Sequence, residues 1–399
     1  MADKLWKGGT TAVALVRTFT LANFANDETN ADIVMTAEDG TTLQTVATTP
    51  SGVDETVIAA AMQANLAASS ETLFTAVTWT VASNVVTGTA KVAGTPFVAA
   101  SAATGGTGTI TDATGTASAG QSDWGTAANF DGSGVPSADT VRLAPDSEGD
   151  SYPVLFGLNQ SAVTLTGINV GAAFTGGIGQ NANSYYLHVN GTTAILHSNG
   201  PGIWLQGDWT NVYYPEGKSG PNALQLKDGG TAITNLYIVG PSAQGTVTLP
   251  DSHTLTNLYV TGAFGVTVNI GTNGTKMDLV EVDSGNILIE RQVDALHNAG
   301  ATVTHEGTNN VLTLEHWSGT TFMNGSGTYG GTKIAVRGGI ATLQNNKSTT
   351  VTIGTSVDLR GGTWNEKSGL GNVTYSGTPD IDKHGGEVIP DTNSNLTLA

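Results

Sequence analysis

Three carboxylates stand at alternate positions in one short segment, the pattern in this chain most suited to binding a metal ion. Asp146, Glu148 and Asp150 could offer oxygen ligands to calcium. The segment is not an EF-hand loop, because the twelfth position counted from Asp146 is Gly157 and not glutamate. The alternative is a solvated acidic loop. We favour the loop and therefore expect no metal and no other cofactor.

Two Arg-Gly-Gly tripeptides, at residues 337–339 and 360–362, lie about one repeat apart. A ladder of cations could hold an acidic sugar, and glycan-cleaving β-helices combine such cations with clustered carboxylates. In the structural interpretation, Gly-Gly forms a corner after a strand and the arginine points outward. Two cations so close repel each other unless they are splayed into water or paired with acids. No Asp-Asp pair at matching spacing accompanies them, which favours the corner.

Aromatic residues cluster in one stretch that contains Trp204, Trp209, Tyr213 and Tyr214. If the interior of the protein cannot accommodate all of these rings, some form an apolar surface patch for sugars or for another subunit. These four residues are our candidates for contact with a ligand or partner. The alternative is that they simply cover the wide side of the molecule.

The motifs of common catalytic sites do not occur in this sequence. It contains no Gly-x-Ser-x-Gly elbow and no phosphate-binding loop. It has no cysteine, so thiolate chemistry is excluded. His297, His305 and His316 share no ligand spacing and are interpreted as surface or turn residues. We expect a protein that is not an enzyme.

The charge balance excludes several classes of partner. The net charge is −18, from 15 basic and 33 acidic residues. Binding to nucleic acid or to an anionic membrane requires clustered lysine and arginine, so neither is expected. The first nine residues lack the apolar stretch of a signal peptide, and no run reaches the roughly 18 apolar residues of a spanning helix. Release from a cell would then need another route, such as lysis.

A repeated segment indicates the elements that position these residues. Ile-Thr-Asn-Leu-Tyr-Ile (233–238), Leu-Thr-Asn-Leu-Tyr-Val (255–260) and Met-Asp-Leu-Val-Glu-Val (277–282) begin at intervals of 22 residues. Such a period in short β-rich pieces is typical of a solenoid, in which each turn buries its apolar face against the next. The 53 glycines and the charged fraction of only 12% suit the many tight corners. We therefore predict a mainly β protein with a right-handed parallel β-helix of about 22 residues per turn over residues 121–380.

A small α+β domain is predicted for residues 1–100, before the β-helix. Alternating apolar residues indicate strands near 13–19, 33–35, 43–46, 77–81 and 85–90. One helix is expected from Asp54 to Ala67, with Ser51 and Asp54 at the spacing of a capping box. Its apolar residues recur every fourth position and would cover the sheet.

Two further segments are expected to stand apart from these domains. Residues 101–120 are almost entirely Gly, Ala, Ser and Thr, and we interpret them as a linker or arm that orders only on a partner surface. Residues 381–399 lose the period and are interpreted as a C-terminal cap or tail. Trp124 and Phe130 are placed where the first solenoid turn needs a cap over its core.

The chain resembles virion proteins of tailed bacteriophages, specifically β-helical capsid decoration (cement) and fibre proteins. The resemblance rests on the opening Trp-Lys-Gly-Gly at 6–9, the helix-containing N-terminal unit, and the residues Trp124, Val135-Pro136 and Asp139-Thr140-Val141 before weakly charged turns. The Trp, Val-Pro and Asp-Thr-Val pattern is also similar to bacterial β-helix adhesins. No catalytic residue can be transferred from the resemblance.

The resemblance implies a non-enzymatic structural protein located on the capsid surface of a virion that assembles in the host cytoplasm. The implied partners are the major capsid protein, or another virion protein, and two further copies of the chain in a homotrimer. The N-terminal domain and the 101–120 arm would then grip the shell. The alternatives are a tail fibre, spike or adhesin that binds a host glycan and, less favoured, a polysaccharide depolymerase.

Overall fold

The computed structural model describes residues 3–25, 29–52, 54–131, 134–143, 152–220, 222–250, 253–272, 275–306, 310–343, 351–366, 373–376 and 381–390. The protein is mostly β, with 57% strand and 7% helix. It consists of a parallel β-solenoid with a spacing of about 21 residues per turn, together with small antiparallel sheets near the N-terminus. The predicted fold class is confirmed.

The chain begins in the solenoid and not in the N-terminal domain. Strand β1 (Asp3–Trp6) pairs in parallel with β9 (Thr140–Leu143), which itself pairs with the next turn. The chain then leaves the stack, forms a separate unit over residues 13–119, here called the head unit, and returns near Asp123. The predicted boundary at residue 1 is therefore wrong, because Trp6 belongs to the solenoid core.

The head unit contains two antiparallel sheets and a covering helix. Its elements are β2 (Val16–Ala22), β3 (Asn30–Thr36), β4 (Leu43–Thr48), α1 (Glu55–Ala68), α2 (Thr72–Thr75), β5 (Val77–Ala82), β6 (Val85–Ala90), β7 (Val98–Thr104) and β8 (Thr109–Thr116). The strand orders are β5-β6-β2-β8 and β4-β3-β7. Ile58, Met62 and Leu66 form the buried face of α1, as their spacing predicts. The N-cap is Asp54, which accepts from Thr56 N at 2.9 Å, so the capping box assigned to Ser51 is wrong.

The linker or arm predicted for residues 101–120 is instead part of the head unit. β7 pairs with β3, and β8 pairs with β2, through the full length of those strands. The Ser101 hydroxyl also donates to the Asp112 carboxylate between the two new strands. A half-covered antiparallel strand needs few bulky side chains, because ladder hydrogen bonds and a neighbouring sheet supply its order. Small residues are therefore sufficient to form β7 and β8. The surface on which these residues become ordered is part of this chain and not of a partner.

The solenoid stacks its strands in parallel from one end to the other. After β9 these are β10 (Asn159–Val170), β11 (Leu187–Ser198), β12 (Ile203–Gln206), β13 (Trp209–Gly217), β14 (Leu224–Lys227), β15 (Ile233–Val239), β16 (Gln244–Leu249), β17 (Leu255–Thr261), β18 (Gly265–Ile270), β19 (Met277–Val282), β20 (Asn286–Ile289), β21 (Val293–His305), β22 (Val311–Met323), β23 (Thr328–Val336), β24 (Ile340–Leu343), β25 (Val351–Ile353), β26 (Val357–Leu359), β27 (Thr363–Asn365), β28 (Val373–Tyr375), β29 (Ile381–Lys383) and β30 (Glu387–Ile389).

The strands pair in the register that the sequence repeat predicts, with equivalent positions of successive copies side by side. Asn235 pairs with Asn257, and Asn257 pairs with Leu279, so the three copies seen in the sequence are β15, β17 and β19 on successive turns. Inward positions such as Leu236, Leu258 and Val280 are fully buried and form one continuous core. Each such side chain contributes about 1.5 to 3 kcal/mol on burial, so stacking is the main source of stability.

The N-terminal end of the solenoid agrees with expectation, whereas the C-terminal end differs from it. At the N-terminal end, Trp6 stacks on Trp124 with ring centroids 6.0 Å apart, and Phe130 meets both rings edge-on. This aromatic cap confirms the role predicted for Trp124 and Phe130. At the other end, β29 and β30 pair with β26 and β27, so the solenoid continues through residue 389. Residues 381–389 are therefore not a cap or tail, and residues 391–399 lie outside the described chain.

Candidate binding surfaces

Two of the four predicted contact residues lie inside the solenoid. Trp209 is 1% exposed and Tyr214 is fully buried, because both occupy inward positions of β13. Gly191 on the preceding turn makes room for the indole, since a Cβ there would overlap the Trp209 ring. Tyr214 donates its hydroxyl to the Gln244 carbonyl oxygen at 2.7 Å, and burial raises the pKa of Tyr214. Neither residue can touch a partner, so this part of the prediction is wrong.

Trp204 borders a surface groove although little of it is exposed. Its ring packs against Tyr186 with centroids 5.1 Å apart. Nε1 of Trp204 has no hydrogen-bond partner among the described residues. The groove has a volume of about 460 Å³, and its apolar lining includes Trp204, Pro153, Leu155, Phe156 and Pro201. This groove is one candidate for binding an apolar face of a ligand.

Tyr213 faces outward and heads a column of stacked tyrosines. Tyr213, Tyr237 and Tyr259 occupy the same position on successive turns, with ring centroids 4.7 and 4.8 Å apart and planes within 11°. Sequence reasoning missed the column, although its signal was present in the Leu-Tyr of two repeat copies. Because the rings cover one another, the column presents mainly ring edges and hydroxyls to solvent. It is therefore poorly suited to stacking a sugar on a ring face.

An asparagine column runs beside the tyrosines. Asn235 donates to Asn211 Oδ1 at 3.0 Å, and Asn257 donates to Asn235 Oδ1 at 2.9 Å. Each amide thus satisfies its neighbour one turn away, as in other ladders of stacked parallel strands. The two columns together explain the repeated Asn-Leu-Tyr as a device that keeps the turns in register.

The two Arg-Gly-Gly tripeptides form a corner with balanced charge. Gly339 and Gly362 both have positive φ, 66° and 72°, at the turn between two strands. Arg337 Nη1 lies 3.1 Å from Asp358 Oδ2, and Arg360 Nε lies 3.0 Å from Asp358 Oδ1. The structural interpretation is confirmed, since the cations share one acid and do not form a free basic ladder.

One group of side chains in the described ranges has the geometry of a metal site. Ligand atoms of Asp358, Asp382 and His384 lie within 4.8 Å of one another. Asp358 and Asp382 are partners on successive turns, so the expectation that no Asp-Asp pair accompanies the arginines is wrong. Asp358 already pairs with two arginines, whose positive charge opposes binding of a cation. The cluster is therefore better explained by its ion pairs. Asp146, Glu148 and Asp150 lie outside the described residues.

The three histidines considered for a shared metal do not meet as ligands. His305 and His316 are buried in the solenoid interior, whereas His297 faces outward from β21. The interpretation of all three as surface or turn residues is thus wrong for two of them. His305 and His316 lie on strands β21 and β22 at inward positions. Both ring nitrogens of His305 form hydrogen bonds, and Nδ1 of His316 lies 3.0 Å from the Thr321 hydroxyl.

A second cavity, here called the junction cavity, lies where the head unit meets the solenoid. Its volume is about 380 Å³, and it is lined by residues of both units, including Met35, Phe97, Phe156 and Tyr185. Glu38 also lines it and accepts from the Leu158 backbone N–H at 2.9 Å. Sequence reasoning missed this cavity, because its walls come from segments that are distant in the sequence, from Met35 to Tyr185.

Two carboxylates lie at this junction, the half-buried Glu38 and the buried Asp123. Burial raises the pKa of Glu38, and the charge of Asp123 raises it further, while the backbone N–H groups of Leu158 and Gly157 oppose the shift. Burial likewise raises the pKa of Asp123, which accepts from Gly125 N at 2.8 Å. In the part of the chain that the structure describes, neither carboxylate forms an ion pair with a basic residue.

Comparison with known proteins gives no family for this chain. No family model, no curated protein and no solved structure matches it. Among the described residues, no helix combines the length and hydrophobicity needed to cross a bilayer.

Proposed function

We propose that the protein is a non-enzymatic structural protein of a tailed bacteriophage, a trimeric decoration protein that binds the capsid and projects its solenoid from the shell. The observation that carries the proposal is the position of the head unit at one end of an unbroken parallel stack. A rod with a separate domain at one end can attach through that domain and extend away from the attachment point. The bacteriophage assignment itself rests on the resemblance of the sequence.

The geometry of the head unit supports attachment through this end. Several large apolar side chains are exposed on it, although the unit has a complete core of its own. These are Val13, Leu43, Val57, Val81, Val92 and Val98, whereas three others, Phe264, Trp317 and Ile340, lie along the solenoid. Exposed apolar residues concentrated on one small domain are typical of a contact surface. In contrast, the tyrosine and asparagine columns of the solenoid are satisfied within the chain.

Binding to particles tests this proposal. Virions assembled without this protein, from a phage whose genome encodes it, are mixed with purified protein, separated by sedimentation and imaged by cryo-EM. We expect the protein to sediment with the particles and to add density to the shell, with the head unit inward. Absence of co-sedimentation, or density confined to the tail, would contradict a decoration role. The mass in solution checks the trimer, which is three times 40.6 kDa or about 122 kDa.

A glycan-binding fibre is the second candidate, and the groove beside Trp204 favours it. Sugar rings bind to apolar aromatic walls flanked by amides, and this groove also includes Gln180 and Asn181. We expect Trp204→Ala to abolish any signal on a glycan array, whereas Trp317→Ala, which alters an exposed tryptophan far along the solenoid, leaves it intact. Silence of the wild-type protein across the array would argue against this candidate.

A further inference from the structure

The junction cavity combines aromatic walls with an acid. Phe97 from the head unit and Phe156 and Tyr185 from the solenoid contribute rings, and Glu38 contributes a carboxylate. Apolar walls with a single charged group are typical of a binding site and not of a packing defect. At about 380 Å³ the cavity is large enough for one long side chain with its flanking backbone.

In the part of the chain that the structure describes, no basic side chain pairs with the carboxylate of the cavity. The charge of Asp123 disfavours ionisation of Glu38, and neither carboxylate has a basic ion-pair partner in the described ranges. A buried acid is stabilised in its charged form by an opposite charge within about 4–6 Å. Aromatic faces attract the same kind of ion. The complementary group is therefore a cation.

The cavity opens onto an apolar depression of the head unit, which suits an extended chain. This depression has a volume of about 210 Å³ and shares Pro96 and Phe97 with the junction cavity. Val92 lies along it and Val98 beside the cavity, and both are more than half exposed. Lys91 also lines the depression, but its ammonium donates to the Thr75 carbonyl oxygen at 2.8 Å. A ligand can thus continue from the cavity over an apolar surface.

We propose that the junction cavity receives a lysine or arginine side chain from an extended, otherwise apolar segment of a partner polypeptide. The alkyl part of the side chain lies against Phe97 and Phe156, and its charge meets Glu38. The neighbouring residues of the segment cover the depression at Val92. The inference deepens the proposed function and rests on it for the identity of the partner, which would be a capsid subunit.

Peptide selection tests the chemistry directly. A library of random heptapeptides is selected against the wild-type protein, Glu38→Gln and Glu71→Gln. Glutamine keeps an acceptor for Leu158 N–H, and Glu71 is an exposed acid of the same unit, which makes it a matched control. We expect wild type and Glu71→Gln to enrich one Lys or Arg between apolar residues, and Glu38→Gln to lose that preference. The best peptide should bind Glu38→Gln at least tenfold more weakly.

Several results would overturn the inference. One is a selection without any cationic preference, and another is an equal preference with Glu38→Gln. Phe97→Ala provides a second variant, and it should weaken the same peptide while circular dichroism reports an intact fold. If 3-phenylpropylammonium binds by calorimetry but no peptide is selected, the site takes a small ammonium ion and the polypeptide proposal is wrong.

Particle binding separates this inference from the proposed function. If Glu38→Gln co-sediments with virions as well as wild type does, the junction cavity is not the attachment point, although the decoration role stands. If wild type selects cationic peptides but does not bind particles, the cavity has the proposed ligand and the capsid is not its source.

Discussion

His305 is held in one tautomer by partners that leave no alternative. Its Nε2 lies 2.9 Å from the Arg291 carbonyl oxygen, which can only accept, so Nε2 carries the proton. Nδ1 lies 2.8 Å from the Tyr329 hydroxyl and accepts from it. Burial lowers the pKa of His305 to about 4, and burial lowers the pKa of His316 to about 4 as well. Both rings are neutral at pH 7.

Because these two histidines are buried and neutral, we expect the free energy of unfolding to fall in mild acid. The unfolded chain binds a proton at each ring near pH 6.5, whereas the folded chain does so only near pH 4. The unfolded state therefore carries more protons between these values, so the free energy of unfolding falls as pH drops from about 6.5 to 4 and is flat above. The expected loss is up to about 3 kcal/mol per histidine.

Urea unfolding at pH 7.0 and pH 4.5 measures this effect. His316→Gln should show a smaller drop between the two pH values than wild type, because one of the two rings is gone. His384→Gln, at an exposed histidine, should show the wild-type drop. An unchanged drop in His316→Gln would mean that other groups cause the acid sensitivity.

Trp209 is predicted to act on stability and not on binding. Trp209→Ala removes a fully enclosed ring, and such changes cost about 3–5 kcal/mol. Trp317→Ala removes a ring that is 54% exposed, and surface changes of this kind usually stay within about 0.5 kcal/mol. Chemical denaturation of both variants provides the measurement. Similar midpoints for the two would show that the Trp209 ring is not part of the core.

At the scale of the elements, one acid holds the corner between successive turns. Partial burial favours protonation of Asp358, but Arg360 and Arg337 outweigh it and keep the pKa of Asp358 below its ordinary value. Asp358→Asn leaves these two cations on neighbouring turns without their shared partner. We expect a loss of about 1 kcal/mol or less at low salt, because the site is close to solvent.

Salt dependence distinguishes this ion pairing from packing. The difference in melting temperature between Asp358→Asn and wild type should shrink at 1 M NaCl, where the Debye length is about 3 Å. Asp382→Asn is a matched control on the next turn, since Asp382 pairs with His384 and not with an arginine. A difference that persists at high salt would indicate lost hydrogen bonds as the main cause.

To predict which aromatic residues are exposed, one must know which side chains of each strand face inward and which face outward. Tyr213 and Tyr214 are adjacent on one strand, so side-chain alternation requires one of them to face inward. The sequence does not state which one, because β11 and β13 shift register between Ile195 and His197. The Arg-Gly-Gly corners were predictable because glycine spacing and charge repulsion are local. The strands within residues 101–116 could not be predicted, because these residues form strands only by pairing with β3 and β2.

At the scale of the whole molecule, the turns are interchangeable units, which predicts that one can be removed. Deleting residues 257–278 joins Thr256 to Leu279, which pairs with Asn257 in the intact protein. Leu258 and Val280 are equivalent buried positions, so the shortened core closes on the next turn. We expect a folded protein with slightly reduced stability, because nearest-neighbour interfaces carry most of the energy.

Circular dichroism and thermal unfolding check this deletion. A control that removes only residues 257–267 breaks the register and should not fold, because inward side chains would no longer meet. Unfolding of the full-turn deletion as well would mean that the turns depend on one another beyond their neighbours.

The repeat made the solenoid predictable as a whole, but not the way the chain enters it. Three copies at 22-residue spacing are sufficient to predict stacking, since register and core follow from one period. Trp6 and Trp124 are separated by the whole head unit, and only the stacking of their rings reveals that they belong to one turn. The junction cavity has the same origin, because Glu38 and Leu158 are brought together by tertiary packing alone.

The insertion of the head unit into the first turn has a mechanical consequence. Two chain segments cross between the units, and they are joined side by side, with Lys7 N donating to Asn129 O at 2.7 Å and Gly9 N to Gln121 O at 3.2 Å. A domain on a single tether swivels freely, whereas two crossings resist torsion and share any tensile load. A force applied to the head unit would load β1 and the rings of Trp124 and Phe130, which pack against Trp6, at the same time. Optical-trap extension should therefore record an abrupt rupture and not a gradual peeling.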